Sequence, residues 1–263
     1  MIPLLLLVLL GLVIGFLVGL TGAGGAALLT PIFIFLNFSA LTAVGSDLIF
    51  NAIIKFVGSS LHFKKGNVDK HILLPLLAGA VPALLFGWFL LSWAKQRFNI
   101  LLVDFYIEIG LGVVLLITGI MVSASLITDK KKKAVAGVKA PSRKIGAFLG
   151  GIVALCVQMT SVGGGVAIMP YLLRVTKDIK KAVGTDLAYG LFVSLIAGLL
   201  HFSLGNVNFP LILPLLVGAI PATAAGVLVA SRTGRHDLLR LAITIIVLLS
   251  GIAMLYTALS SVH

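Results

Sequence analysis

Charge and cysteine are what this 263-residue chain has least of. Only 11% of its residues are charged, and only 8 are acidic. Soluble domains carry about 25% charged residues. With 60% hydrophobic residues and a mean hydropathy of +1.19, the chain cannot hide its apolar surface from water. Its solvent is therefore lipid. The single cysteine, Cys156, excludes an intrachain disulfide and any multi-cysteine metal site. Roughly ten-residue alternating segments are also missing, which excludes a membrane β-barrel and leaves helices as the spans. No Walker, GxSxG or His–carboxylate metal spacing occurs, so no catalytic residue, cofactor or metal is expected. The formal charge of +12 sits in short loops between apolar runs. It reads as membrane orientation rather than nucleic-acid binding.

What is present is present twice. "AVGSDL" at 43–48 returns as "AVGTDL" at 182–187. "LHFKKGNV" at 61–68 returns as "LHFSLGNV" at 200–207, and "LPLLAGAVPA" at 74–83 as "LPLLVGAIPA" at 213–222. Every pair keeps one and the same offset, the mark of a tandem duplication. The reading is all-α and polytopic: a membrane unit at 1–127, a basic cytoplasmic linker at 128–144, and a second unit at 145–263. Residues 1–20 lack a basic leader and a cleavage site, so they count as the first membrane segment.

Each unit opens with a run broken by glycines. In unit 1 the runs are 2–20, 24–36, 40–62, 72–91 and 99–127; in unit 2 they are 145–159, 164–175, 182–202, 211–230 and 238–259. Residues 24–36 would reach only about 20 Å as a helix, short of a hydrocarbon core about 30 Å thick. The run 145–159 is similarly short. Both are expected to be half-helices or broken hairpins, with three full spans following in each unit.

Four loops hold 17 of the 20 Lys and Arg residues when they are placed in the cytoplasm. Lys95 and Arg97 then lie outside, and Trp88 and Trp93 mark the outer interface. Matching loops fall on opposite sides, so the two units are expected to be inverted, with both termini outside. Inverted repeats with broken helices are characteristic of transporters.

A helix that starts inside the membrane offers free N–H groups and a partial positive end, and glycine lets an anion approach that backbone. The candidate substrate-binding residues are Thr21, Gly22, Gly24 and Gly25 in unit 1. In unit 2 they are Thr160, Ser161, Gly163, Gly164 and Gly165. Close helix packing is the competing explanation for the glycines.

The order "GLTGAGGAALLTP" or "TSVGGGVAIMP", then "AVG[ST]DL", then "LHF…GNV", resembles the TauE/SafE sulfite and organosulfonate exporter family. The resemblance covers nearly the whole chain. It implies a permease of the cell inner membrane for sulfite, sulfoacetate or a related small anion, with the paired glycine motifs at the substrate site. Export and uptake both stand as directions, an anion channel is a runner-up, and a membrane scaffold is the alternative of another class. Lipid and the anion are the implied partners; nucleic acid is not, and a homodimer is allowed.

Asp47, Asn51 and Lys55 follow each other every four residues, with Ser59 next and His62 three further on, along one helical face. Asp186 repeats Asp47. These four residues, Asp47, Asn51, Lys55 and Asp186, are candidates for proton coupling or gating, with helix capping as the alternative for the two aspartates. His62 and His201 are expected at the interface, and Cys156 as a small apolar filler.

Overall fold

The computed structural model describes residues 3–21, 28–128, 142–162, 164–176, 178–232 and 237–260. Ten α-helices account for nearly all of them. Unit 1 holds α1 (Leu4–Thr21), α2 (Leu29–Phe35), α3 (Ala40–Lys64), α4 (Lys70–Arg97) and α5 (Ile100–Thr128). Unit 2 holds α6 (Arg143–Thr160), α7 (Gly164–Thr176), α8 (Ile179–Ser203), α9 (Phe209–Arg232) and α10 (Asp237–Ser260). Most of the basic linker lies outside the described residues.

Among the described residues six helices are long and apolar enough to cross a membrane: α3, α4, α5, α6, α8 and α9. The protein is thus a multi-pass, all-helical membrane protein. One expectation changes. The helix expected over 145–159 begins at Arg143 and ends at Thr160, 18 residues. It rises about 27 Å and so spans most of the hydrocarbon. Its first turn recruits Arg143 and Lys144, whose long stems carry their charges to the interface. The described part of the run expected over 24–36 is a seven-residue helix, α2.

The helix starts also sit earlier than the motifs imply. Asp178 caps α8, accepting a bond from Lys180 N at 2.8 Å. Ser39 accepts from Thr42 N ahead of α3. Asp104, on α5, accepts from Leu41 N at 3.0 Å and caps α3 from a neighbouring helix. Asp47 and Asp186 therefore lie two turns inside their helices and cap neither.

Packing runs across the two units. α1 lies along α9, α6 along α4, α3 against α8 and α5 against α10. Small residues permit this, because lipid offers no hydrophobic drive between helices and close van der Waals contact must supply it. A Cβ built on Gly11 would lie 2.1 Å from Leu215 O, and one on Gly150 would lie 2.2 Å from Leu76 O. A Cβ on Gly79 would come within 1.7 Å of Ala147 O, and one on Gly218 within 2.2 Å of Val8 O. These are the same contacts repeated at the offset of the duplication, with the units exchanged. The loops repeat it too: Asp69 N donates to Thr185 Oγ1 at 2.9 Å, and Asn208 N to Ser46 Oγ at 3.0 Å.

α3 and α8 are the most enclosed helices. They cross antiparallel: Ile49 packs on Gly198, Lys55 on Gly190 and Leu187 on Gly58. α5 and α10 are antiparallel as well, with Gly112 against Leu255 and Gly119 against Leu248. Their outer faces, including Leu101, Ile117, Ile120, Leu249, Ile252 and Tyr256, are exposed and suit lipid.

Candidate functional site

α6 stops at Thr160 for two local reasons. Ser161 takes a left-handed conformation, φ 62° and ψ −4°, which ends the helix with Ser161 N on Val157 O at 2.7 Å. The Thr160 hydroxyl turns back on its own chain, donating to Cys156 O at 2.7 Å and accepting from Val162 N at 3.2 Å. After Val162, α7 opens at Gly164.

The Ser161 hydroxyl reaches across to α3 and donates to Asp47 Oδ2. Thr30 Oγ1, from α2, donates to the same oxygen at 2.6 Å. Asn51 Nδ2, one turn along α3, donates to Asp47 Oδ1 at 2.8 Å. Asp47 is fully buried, and its three donors are buried with it. The structure thus brings Asp47, Asn51 and Ser161 together, three residues singled out from sequence, and adds Thr30. Thr30 stands just before the proline in "LLTP", but nothing in the local pattern announces a partner on the next helix.

Lys55 lies two turns beyond Asp47. Its Nζ reaches Ser194 Oγ at 3.5 Å, and these two residues occupy equivalent places in the two units, 139 apart in sequence. The ammonium sits over Gly190, whose absent side chain makes the room: a Cβ there would come within 3.1 Å of Nζ. Lys55 feels the charges of both Asp186 and Asp47. Asp186 is buried with its Oδ1 unpartnered. The duplicated aspartates therefore have different surroundings. One is saturated with donors; the other faces a lysine from the opposite unit.

Gly164 and Gly165 open α7, with Gly164 buried. A Cβ on Gly164 would meet only Val157 Cγ2, at 3.6 Å, an ordinary contact. Helix packing requires glycine at Gly79 or Gly150 but not here. Of the remaining substrate candidates, Thr21 ends α1, while Gly22, Gly24, Gly25 and Gly163 lie outside the described residues.

His201 is not interfacial. It is fully buried, its Nε2 donates to Gln158 O at 2.9 Å, and its Nδ1 accepts from Asn206 Nδ2 at 3.4 Å. It ties the end of α8 to the last turn of α6. Gln158, also fully buried, has no partner for either side-chain amide atom. Tyr189 donates to Gly150 O at 2.6 Å and pins the middle of α6 to α8. Cys156 is half-buried and free. Among the described residues no group of three His, Cys, Asp or Glu side chains is placed to hold a metal ion.

An apolar cleft of about 350 Å³ between α4 and α5 reaches the end of α6, lined by Leu91, Phe98, Tyr106, Met159 and Thr160 among others.

Comparison with known proteins agrees with this membrane architecture. Residues 7–254 match the family model described as "Sulfite exporter TauE/SafE". The "Probable membrane transporter protein YjnA" of Bacillus subtilis (strain 168) is 32% identical over 257 residues, covering 95% of this chain and 98% of that protein. No solved structure matches the chain significantly.

Proposed function

The chain belongs to the sulfite exporter TauE/SafE family of membrane transporters, and on that premise we propose that it carries sulfite or a small organosulfonate anion out of the cell by alternating access. One observation carries the site assignment. Gly164 opens a helix inside the protein where packing does not ask for glycine. The amides of α7's first turn, which have no acceptor within their own helix, then form a surface for anionic oxygens, with Gly163 and Gly165 adjacent in the sequence. Lys55, two turns along α3 from Asp47, is buried as well.

The two units, 1–127 and 145–263, act as inverted repeats about this site. The antiparallel crossings of α3 on α8 and α5 on α10 support that reading, as does the exchange of contacts at the offset of the duplication. The distribution of basic residues supports a cytoplasmic linker, termini on the outer side and the cell inner membrane as the location. Export of an anion is favoured by the negative interior, by about 2.3 kcal/mol per charge at 100 mV.

A second reading, uptake coupled to a cation, has one observation in its favour: the carboxylate of Asp47 is bonded directly to the break through Ser161. Proteoliposomes loaded with labelled sulfite test the proposal. Efflux that accelerates when the interior is made negative is the expected result. Influx that requires an inward cation gradient would move the assignment to uptake. No flux of sulfite, sulfoacetate or taurine in either direction would leave a scaffold.

A further inference from the structure

α4 and α6 run side by side in the same direction. Gly146 meets Pro75, Gly151 meets Ala83 and Gly87 meets Gln158, so residue numbers rise together along the pair. Both helices therefore begin on one face of the protein. Between their first turns lies a cleft of about 500 Å³, where His71, Arg143 and Lys144 share the lining with Leu74, Pro75 and Ala78. The cleft is remote from the break described above, because α6 carries 18 residues, or about 27 Å, from Arg143 to Thr160.

The lining offers positive charge that nothing in the protein uses. Arg143 and Lys144 are exposed, and neither side chain makes an ion pair or hydrogen bond among the described residues. Asp69, close to His71 in sequence, is committed to the cap of α4, accepting from His71 N at 3.0 Å. Ser142 stands at the N-cap of α6 without a side-chain capping bond, so the first-turn amides there add a partial positive charge. The rest of the lining is carbon. Leu74 and Ala78, one turn apart on α4, are exposed, and so are Ile145 and Phe148 on α6.

The duplication supplies an internal comparison. At its offset Leu74 and Pro75 return as Leu213 and Pro214, so the apolar frame is kept. His71, Arg143 and Lys144 correspond to Pro210, Leu4 and Leu5. α1 and α9 pack with the same close backbone contacts and with none of the three polar side chains. Helix pairing therefore does not require them. Membrane orientation asks for basic residues on this face, but it does not ask that they gather at one cleft.

We propose that this cleft binds the phosphate headgroup of an anionic phospholipid, with its acyl chains laid along Leu74, Ala78 and the exposed face of α6. Arg143 can pair phosphate oxygens through two parallel N–H bonds, and Lys144 adds a point charge. A free anion would use the cations and gain nothing from the carbons. A zwitterionic lipid would use the carbons but bring its own cation to the basic pair. The proposal is independent of which anion is transported and in which direction.

Native mass spectrometry of the full-length protein released from detergent is the test, with phosphatidylglycerol and phosphatidylcholine of the same chains as probes. Wild type is expected to retain phosphatidylglycerol saturably, with a preference of roughly tenfold or more over phosphatidylcholine. Each near-surface cation strengthens anionic-lipid binding about fivefold, so Arg143→Gln with Lys144→Gln is expected to weaken it by about 25-fold. Lys180→Gln with Lys181→Gln makes the same change in net charge at the start of α8, outside the cleft, and is expected to alter affinity little. Ala78→Trp fills the apolar part with the charges intact and is expected to weaken lipid binding too. All five positions are exposed, so the variants are expected to fold, which thermal midpoints check. Equal retention of the two lipids by wild type, or equal losses in the two double variants, overturns the site. Displacement of the lipid by an equal concentration of glycerol 3-phosphate, or unchanged lipid affinity in Ala78→Trp, overturns the lipid as its occupant.

Discussion

At the scale of single residues, the duplicated aspartates separate into two different chemistries. Asp47 accepts three hydrogen bonds, whereas Asp186 Oδ1 accepts none. An asparagine at 47 offers one acceptor oxygen and turns an NH2 group toward donors, so at least one buried group loses its partner. Asp47→Asn is expected to destabilise the protein by about 1–3 kcal/mol. Asp186→Asn is expected to cost less, because no hydrogen-bond donor is stranded and Lys55, bonded to Ser194, keeps Asp47 as an opposite charge. Thermal unfolding of both variants in the same detergent checks the difference; equal losses would mean that the two sites are equivalent after all. This asymmetry is only half legible in the sequence. The repeat of "VG[ST]DL" marks both positions, and the four-residue spacing places Asn51 and Lys55 on the face of Asp47. That Thr30 and Ser161 meet there depends on tertiary contacts 17 and 114 residues apart, which no local spacing encodes. His201 escapes the sequence for the same reason: its position at a helix end implies water, but the end of that helix is covered by α6.

Among elements, glycine has two uses, and they separate by what a Cβ would touch. Gly79 lies against the backbone of Ala147, with 1.7 Å between a built Cβ and the carbonyl oxygen, so α4 and α6 can meet only if that position is bare. Gly79→Ala forces the pair apart and is expected to cost about 1–3 kcal/mol. Gly110, on α5, has nothing within 4 Å of the same built atom, so Gly110→Ala is expected to be neutral or stabilising by up to about 1 kcal/mol, through helix propensity alone. Thermal midpoints of the two variants are the measurement, and a neutral Gly79→Ala would show that α4 and α6 are not packed this closely. The helices themselves are readable because membrane-length apolar runs have few other meanings in a chain so poor in charge. Their partners are not. That α1 lies on α9 and α6 on α4 is a choice made across the duplication, and a one-dimensional pattern of small residues does not say which neighbour they admit. The start of α6 is hidden as well, since Arg143 and Lys144 look like linker until their apolar stems are counted as helix.

For the whole molecule, contacts recur with the units exchanged, while the face carrying Lys95 has ties whose side chains are not repeated at the same offset in unit 2. On the face carrying Lys95, the end of α4 is fastened to the end of α8. Lys95 Nζ donates to Leu204 O at 2.6 Å and to Asn206 Oδ1 at 2.8 Å, and Trp88 Nε1 donates to Ser203 Oγ at 3.0 Å. The same loop docks on α3 through Asn208 N and Ser46, one residue before Asp47. The positions in unit 2 that correspond to Trp88 and Lys95 are Val227 and Gly234, neither of which has a side-chain donor. If alternating access exchanges the conformations of the two units, these unmatched bonds hold the Lys95 face shut and bias the protein toward the state open on the other side. Each neutral bond contributes about 0.5–1.5 kcal/mol and a charged one about 1.5–3 kcal/mol. Removing them with Lys95→Ala and Trp88→Phe is therefore expected to raise the open population of that face by roughly tenfold or more. A cysteine at the break reports it, because the chain has only one to remove. In a Cys156→Ser, Ser161→Cys background, an impermeant thiol reagent added on the Lys95 side is expected to label slowly with the ties present and several times faster without them. An unchanged labelling rate would mean that access to the break does not pass through the Lys95 face, and that the bonds there hold the fold together without gating it.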